Sequence, residues 1–123
     1  LKLENVEILF GTDENVLQGF QAGCRGAVGS SYNFASPLHL ELIQAYESGE
    51  GDEAKHLQER VVELICCLQE FGYIPAAKQL MGRMGVELGT VRPPLVPVPE
   101  VAMEELEGII RRTGYLDLGE ETL

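Results

Sequence analysis

Apolar positions fall first into two short runs and then into longer stripes at helical spacing. Val6-Glu7-Ile8-Leu9-Phe10, bounded by Gly11, is short, β-branched and nearly continuous, the pattern of a strand covered on both faces. Thr12-Asp13-Glu14 then offers capping oxygens and early negative charge, and predicts a helix over residues 13–22 that Gly23 closes. The second run, Gly26-Ala27-Val28-Gly29, is weaker and reads as a strand because a strand and a helix precede it. Strand, helix, strand with tight connections is a βαβ unit, whose strands run parallel.

The rest of the pattern is helical. Ser36 as N-cap and Pro37 at the first helical position predict a helix running to Ser48 and stopped by Gly49. Gly49-Glu50-Gly51-Asp52 is a turn, with Asp52 placed to cap the helix that follows. In that helix Ala54, Leu57, Val61, Leu64, Leu68 and Phe71 recur at steps of three and four residues and form one apolar stripe, ended by Gly72. A further helix, with Ala77, Leu80, Met81 and Met84 as its apolar members, starts near Pro75 and ends at Gly85. Four prolines within residues 93–99 forbid a helix there and favour an extended strap over residues 89–99. A last helix over residues 100–113 carries Val101, Leu106, Ile109 and Ile110, with Gly114 closing it ahead of an acidic tail that is expected to fray.

Two parallel strands do not make a stable sheet by themselves. Parallel strands occur almost only in larger sheets with both faces covered, and open edges are templates for association. The pattern therefore calls for further strands, from missing chain or from another subunit. The chain also lacks an initiator Met, which leaves open a start inside a longer protein.

Composition narrows the function. Nine Lys and Arg against 20 Asp and Glu give a net charge of −11 in 123 residues, the opposite of a nucleic-acid binder. No apolar run approaches the roughly 18 residues that span a bilayer, and Leu1–Asn5 shows neither the basic start nor the apolar core of a secretory leader, so no membrane partner is expected. Cys24, Cys66 and Cys67 form a poor disulfide framework and point to reduced thiols and a cytoplasmic setting. His39 and His56 lie far apart, and no metal-ligand spacing is present. The motif of Gly23, Gly26 and Gly29 matches neither the dinucleotide nor the phosphate-loop pattern, and His39 reads as a solvated residue early in its helix.

Candidate chemistry gathers where the strands end. Parallel strands bring Gly11-Thr12-Asp13-Glu14 and Gly29-Ser30-Ser31-Tyr32-Asn33 to one rim, which in open α/β sheets and barrels is the binding face. Gly11 and Gly29 let a ligand approach the backbone, Asp13 and Glu14 accept hydrogen bonds, and Ser30 and Ser31 donate or accept. The same residues also suit plain structural duty, as a helix start and a turn. Lys55 and Lys78 lie on helices away from the rim, and Lys2 precedes the first strand.

These residues resemble a known family. Ile8-Leu9-Phe10-Gly11-Thr12-Asp13-Glu14 and the run from Ala22 to Asn33 are similar to the last two strands of the N-acetylneuraminate lyase and dihydrodipicolinate synthase family. The likeness continues through Gly49 to Ala54, Ile74-Pro75-Ala76-Ala77-Lys78 and the strap Val91-Arg92-Pro93-Pro94-Leu95, and it leans to the lyase branch. It implies an α/β fold: the C-terminal portion of a (β/α)8 TIM barrel, with its last two βα units over residues 1–48 and C-terminal helices and tail over residues 49–123. A complete barrel takes about 250 residues, and the missing strands are those the open edges call for.

The resemblance implies a class I aldol reaction, in which a lysine forms a Schiff base with pyruvate or another 2-keto acid and a tyrosine assists proton transfer. The family's lysine and tyrosine stand on its sixth and fifth strands, neither matched here, so no catalytic residue is expected in this chain. By motif position Gly11, Asp13, Glu14 and Ser30 hold the polyol chain of a 2-keto sugar acid such as a sialic acid. No metal or organic cofactor is implied. The partners implied are the rest of the barrel and further copies, as a tetramer. Other readings are a dihydrodipicolinate synthase-like aldolase of another 2-keto acid, or a non-enzymatic acidic helical module for assembly or ligand binding.

Overall fold

The two apolar runs do pair. The structure, a computed structural model, describes residues 6–118, and in it β1 (Leu9–Phe10) and β2 (Gly26–Ala27) form a parallel ladder with Leu9 opposite Gly26 and Phe10 opposite Ala27. Val28 extends the pairing by donating its N–H to the Phe10 carbonyl at 2.8 Å. Both strands are shorter than their apolar runs because neither has a second neighbour among the described residues. Val6, Ile8, Leu9 and Val28 accordingly stay more than half exposed. Lys2 and the tail acids Glu120 and Glu121 lie outside the described residues.

The helix expected over residues 13–22 is divided. Asp13–Asn15 form a 3-10 turn, and α1 (Val16–Gln21) follows. Neither N-cap residue, Thr12 or Asn15, caps its piece with its side chain, and the Asp13 carboxylate is engaged elsewhere. Gly19 lets α1 approach β1 closely, since a Cβ there would enter the Phe10 ring. The next helix, α2 (Tyr32–Glu47), starts ahead of Ser36, and its only non-helical residue is Ala35 (φ −119°, ψ 25°). The Ser31 carbonyl accepts N–H bonds from Phe34 and Ala35, which nucleates a turn before the Ser36-Pro37 signal is reached.

The helix α3 (Gly51–Glu70) carries the expected stripe, buried at Ala54, Leu57, Val61, Leu64 and Leu68 and half-buried at Phe71 just beyond its end. Asp52 does not cap it but lies in its first turn, 3.7 Å from Lys55. The helix α4 (Tyr73–Arg83) begins before Pro75, and α5 (Glu100–Thr113) ends at Gly114 in the left-handed conformation, φ +64°. In α5 the buried register is Met103, Leu106 and Ile110, which turns Val101 out to solvent at 73% exposure. Of the apolar residues the helix carries, Val101 is thus outside the core, and Met103 is inside it.

Two apolar clusters result, and α3 serves both. Ala54, Leu57, Val61 and Ile65 pack with Val16, Leu17, Leu38 and Leu42, beside the strands and their helices. Leu64 and Leu68 pack with Leu80, Met103, Leu106 and Ile110. The proline strap between α4 and α5 is held by side chains: the Gln79 amide accepts from Val98 N at 2.7 Å and donates to Val98 O at 2.9 Å, and Lys78 Nζ donates to Thr90 O at 2.9 Å. Arg83 pairs with Glu100, and with Glu107 at 2.8 Å. Replacing Gln79→Ala leaves both backbone groups of Val98 without their partner, so stability should fall by about 1–3 kcal/mol, read from urea denaturation.

Candidate functional site

The C-terminal ends of β1 and β2 open into one cleft of about 380 Å3. Gly11, Thr12, Asp13 and Glu14 enter it from the loop after β1, and Gly29 and Ser30 from the loop after β2. All of Gly11, Asp13, Glu14 and Ser30 therefore face one space. The far wall is helical: Ile65 and Gln69 from α3, Tyr73 and Ile74 from α4. Ile65, Gln69 and Tyr73 gave no sequence signal, because they meet the rim only through tertiary packing.

Asp13 is the hinge between the two loops. It is buried, and its Oδ2 accepts from Ser31 N at 3.0 Å and from Ser31 Oγ at 2.5 Å. Its Oδ1 lies directly over Gly29, where a Cβ would collide with the carboxylate. A buried carboxylate without donors is strongly disfavoured, so these bonds are what allow it to sit there. The loop is also tied to α3: Gln58 Nε2 donates to Asp13 O at 3.2 Å and Gln58 Oε1 accepts from Leu17 N at 2.9 Å.

His39 corrects a sequence expectation. It is buried rather than solvated, because α2 starts early and turns it inward beneath the rim. Its Nε2 lies 2.9 Å from Ser31 Oγ. The single hydroxyl proton of Ser31 goes to Asp13, so the imidazole donates Nε2–H to Ser31. Nδ1 has no hydrogen-bond partner among the described residues, as suits a neutral ring. Burial drives the His39 pKa down to about 4, against the opposing pull of the Asp13 charge. The Tyr32 ring stands edge-on to it at 4.2 Å, and burial, then the nearby Asp13 carboxylate, push the Tyr32 hydroxyl up to about 12. The serine lies between acid and base here, so the trio is a scaffold and not the acid–base–nucleophile order of a hydrolase.

Other groups stand apart. Lys55 and Lys78 do not line the cleft, and Lys78 is held at Thr90. Cys24, Cys66 and Cys67 are free thiols. No cluster of three or more metal-ligating side chains occurs among the described residues. No helix among them is long and apolar enough to cross a membrane.

In α/β proteins the strand-end face of a parallel βαβ unit is where ligands bind. Comparison with known proteins gives the family. Residues 2–113 match the model of the Dihydrodipicolinate synthetase family, and the chain belongs to that family. It is 36% identical over 96 residues to the N-acetylneuraminate lyase of Rhizobium meliloti, covering 78% of this chain and 32% of that protein. It is 32% identical over 94 residues to the N-acetylneuraminate lyase of Danio rerio, covering 75% of this chain and 31% of that one. Among solved structures it superposes on Proteus mirabilis N-acetylneuraminate lyase with a TM-score of 0.81 at 33% identity, covering 89% of this chain and 37% of that chain. The chain thus spans about a third of the length of the curated relatives it matches. Its fold is the C-terminal portion of a TIM barrel followed by helices.

Two outcomes test the scaffold. Gly29→Ala should displace the Asp13 carboxylate and lower stability by about 1–3 kcal/mol, whereas Gly11→Ala, with nothing within 4 Å of its added Cβ, should stay within about 0.5 kcal/mol of the parent; urea denaturation separates them. His39 has a lower pKa folded than unfolded, so between about pH 6.5 and 4 the unfolded state binds the extra proton. Its contribution is therefore complete above pH 6.5 and is lost as the pH falls toward 4. Urea unfolding at pH 7 and pH 4.5 should show a smaller acid loss in His39→Gln than in the parent.

Proposed function

We propose that this chain is the sugar-binding third of a Schiff-base aldolase that cleaves a sialic acid or related 2-keto sugar acid to pyruvate and an aldehyde sugar. One observation carries this reading: Gly11, Asp13, Glu14 and Ser30 line a single cleft at the strand ends. Lyases that act on N-acetylneuraminate, similar over three quarters of this chain, support the substrate class. In this scheme residues 1–48 complete the barrel as its seventh and eighth βα units, and residues 49–123 back the site with helices.

Each residue has a role its surroundings suit. Glu14, half-buried at the cleft, accepts hydrogen bonds from substrate hydroxyls. Ser30 donates or accepts, its carbonyl fixed by Asn33 Nδ2 at 3.0 Å. Gly11 lets the polyol chain approach the backbone, with open space where a side chain would stand. Asp13 holds the two loops in register and keeps the cleft negative. The lysine that forms the Schiff base with pyruvate, and the tyrosine that moves the proton, come from earlier strands of the barrel. The imine is the electron sink, so the scheme calls for no metal or organic cofactor.

Those earlier strands also cover the exposed Val6, Ile8, Leu9 and Val28 along the open edges. In this scheme the assembled barrels associate further, as a tetramer. Free thiols at Cys24, Cys66 and Cys67 support a cytoplasmic setting.

Borohydride trapping tests the reading on the assembled barrel, meaning this segment with the polypeptide that supplies its first six strands. Incubation with pyruvate should give one reduced pyruvate adduct by intact mass, and its absence would overturn the aldolase reading. Glu14→Ala should raise KM for N-acetylneuraminate at least about tenfold, the scale of a lost charged hydrogen bond, while the pyruvate adduct still forms.

A further inference from the structure

The cleft has a wall that neither strand-end loop supplies, and Tyr73, with Gln69, is one of its two polar members. Tyr73 opens α4 directly after Gly72, whose φ of +86° is a conformation that L side chains rarely adopt. The ring is half-buried and packs against both apolar clusters, with its centroid 6.5 Å from that of Phe34. Tyr73 lines the cleft, and its hydroxyl lies 2.8 Å from Ser30 Oγ. A ring held by the core, with two side-chain torsions, delivers its hydroxyl to one place at small entropic cost.

We propose that Tyr73 is a specificity-determining residue of the sugar site, pairing with Ser30 to form a two-hydroxyl contact for one hydroxyl of the acyclic polyol chain. This inference rests on the aldolase reading above. Two hydroxyls carry two protons, and one of them is engaged between Tyr73 and Ser30. The pair therefore offers the ligand one outward O–H as well as free lone pairs. Glu14, lining the same cleft, only accepts. A ligand hydroxyl can donate to the carboxylate and accept from the pair at once; a methylene can do neither. Burial foremost, with the charges of Asp13 and Glu14, raises the Tyr73 pKa against the opposing effect of Ser30, so the phenol keeps its proton at neutral pH.

The test uses the assembled barrel, with pyruvate trapping and cleavage kinetics on N-acetylneuraminate. Tyr73→Phe keeps the ring and its packing and removes only the hydroxyl. It should raise KM about three- to tenfold, leave kcat within about twofold, and leave the trapped adduct unchanged. In a Ser30→Ala background the same change should add less than about twofold, because the pair is already broken. An unchanged KM in Tyr73→Phe, or losses that multiply independently in the double variant, would overturn the assignment. Loss of the adduct in Tyr73→Phe would also overturn it, since the residue would then support the fold and not the sugar. If the parent barrel forms no adduct, the aldolase reading itself fails and this assignment falls with it.

Discussion

Burial of one helix on two sides holds the molecule together. α3 places Ala54, Leu57, Val61 and Ile65 against the strand layer and its helices, and Leu64 and Leu68 against α4 and α5. The same helix fixes the chemistry, because the Gln58 amide bonds two backbone groups of the loop after β1. The position of Glu14 is thus set from α3 as much as from the strand it follows.

On that frame the Asp13 carboxylate closes the site. It sits in a buried position that only a hydrogen-bonded acid can occupy, and its two donors come from one residue, Ser31, on the neighbouring loop. Gly29 provides the room, and neutral His39 saturates the remaining side of the Ser31 hydroxyl. Glycine, serine and histidine here form one polar joint. It replaces, at the strand ends, the cross-strand packing that a two-residue ladder is too short to give.

What was legible in the sequence follows from how local each feature is. Helices with a clean three–four stripe, above all Ala54 to Phe71, depend on their own periodicity and were found where expected. The parallel order and the convergence of Gly11, Asp13, Glu14 and Ser30 followed from topology, which needs only two strands and the helix between them. Three features did not follow. Asp13 looked like a helix cap, because capping is a local signal and the Ser31 contact spans 18 positions of chain. His39 looked solvated, because the early start of α2 is set by the Ser31 carbonyl and not by Ser36-Pro37. Tyr73 gave no signal at all, since its hydroxyl becomes polar lining only after α4 folds back on the strand ends.

The cleft's two lips come from parts of the chain that differ in kind. One is made of strand-end loops before Asn33, the other of helices after Gly51. Grafting the last barrel strands onto a different scaffold would carry over the carboxylates and the serine, yet leave behind the surface that faces them. The far lip of the cleft in such a hybrid would be whatever helix the new scaffold happened to place across the gap.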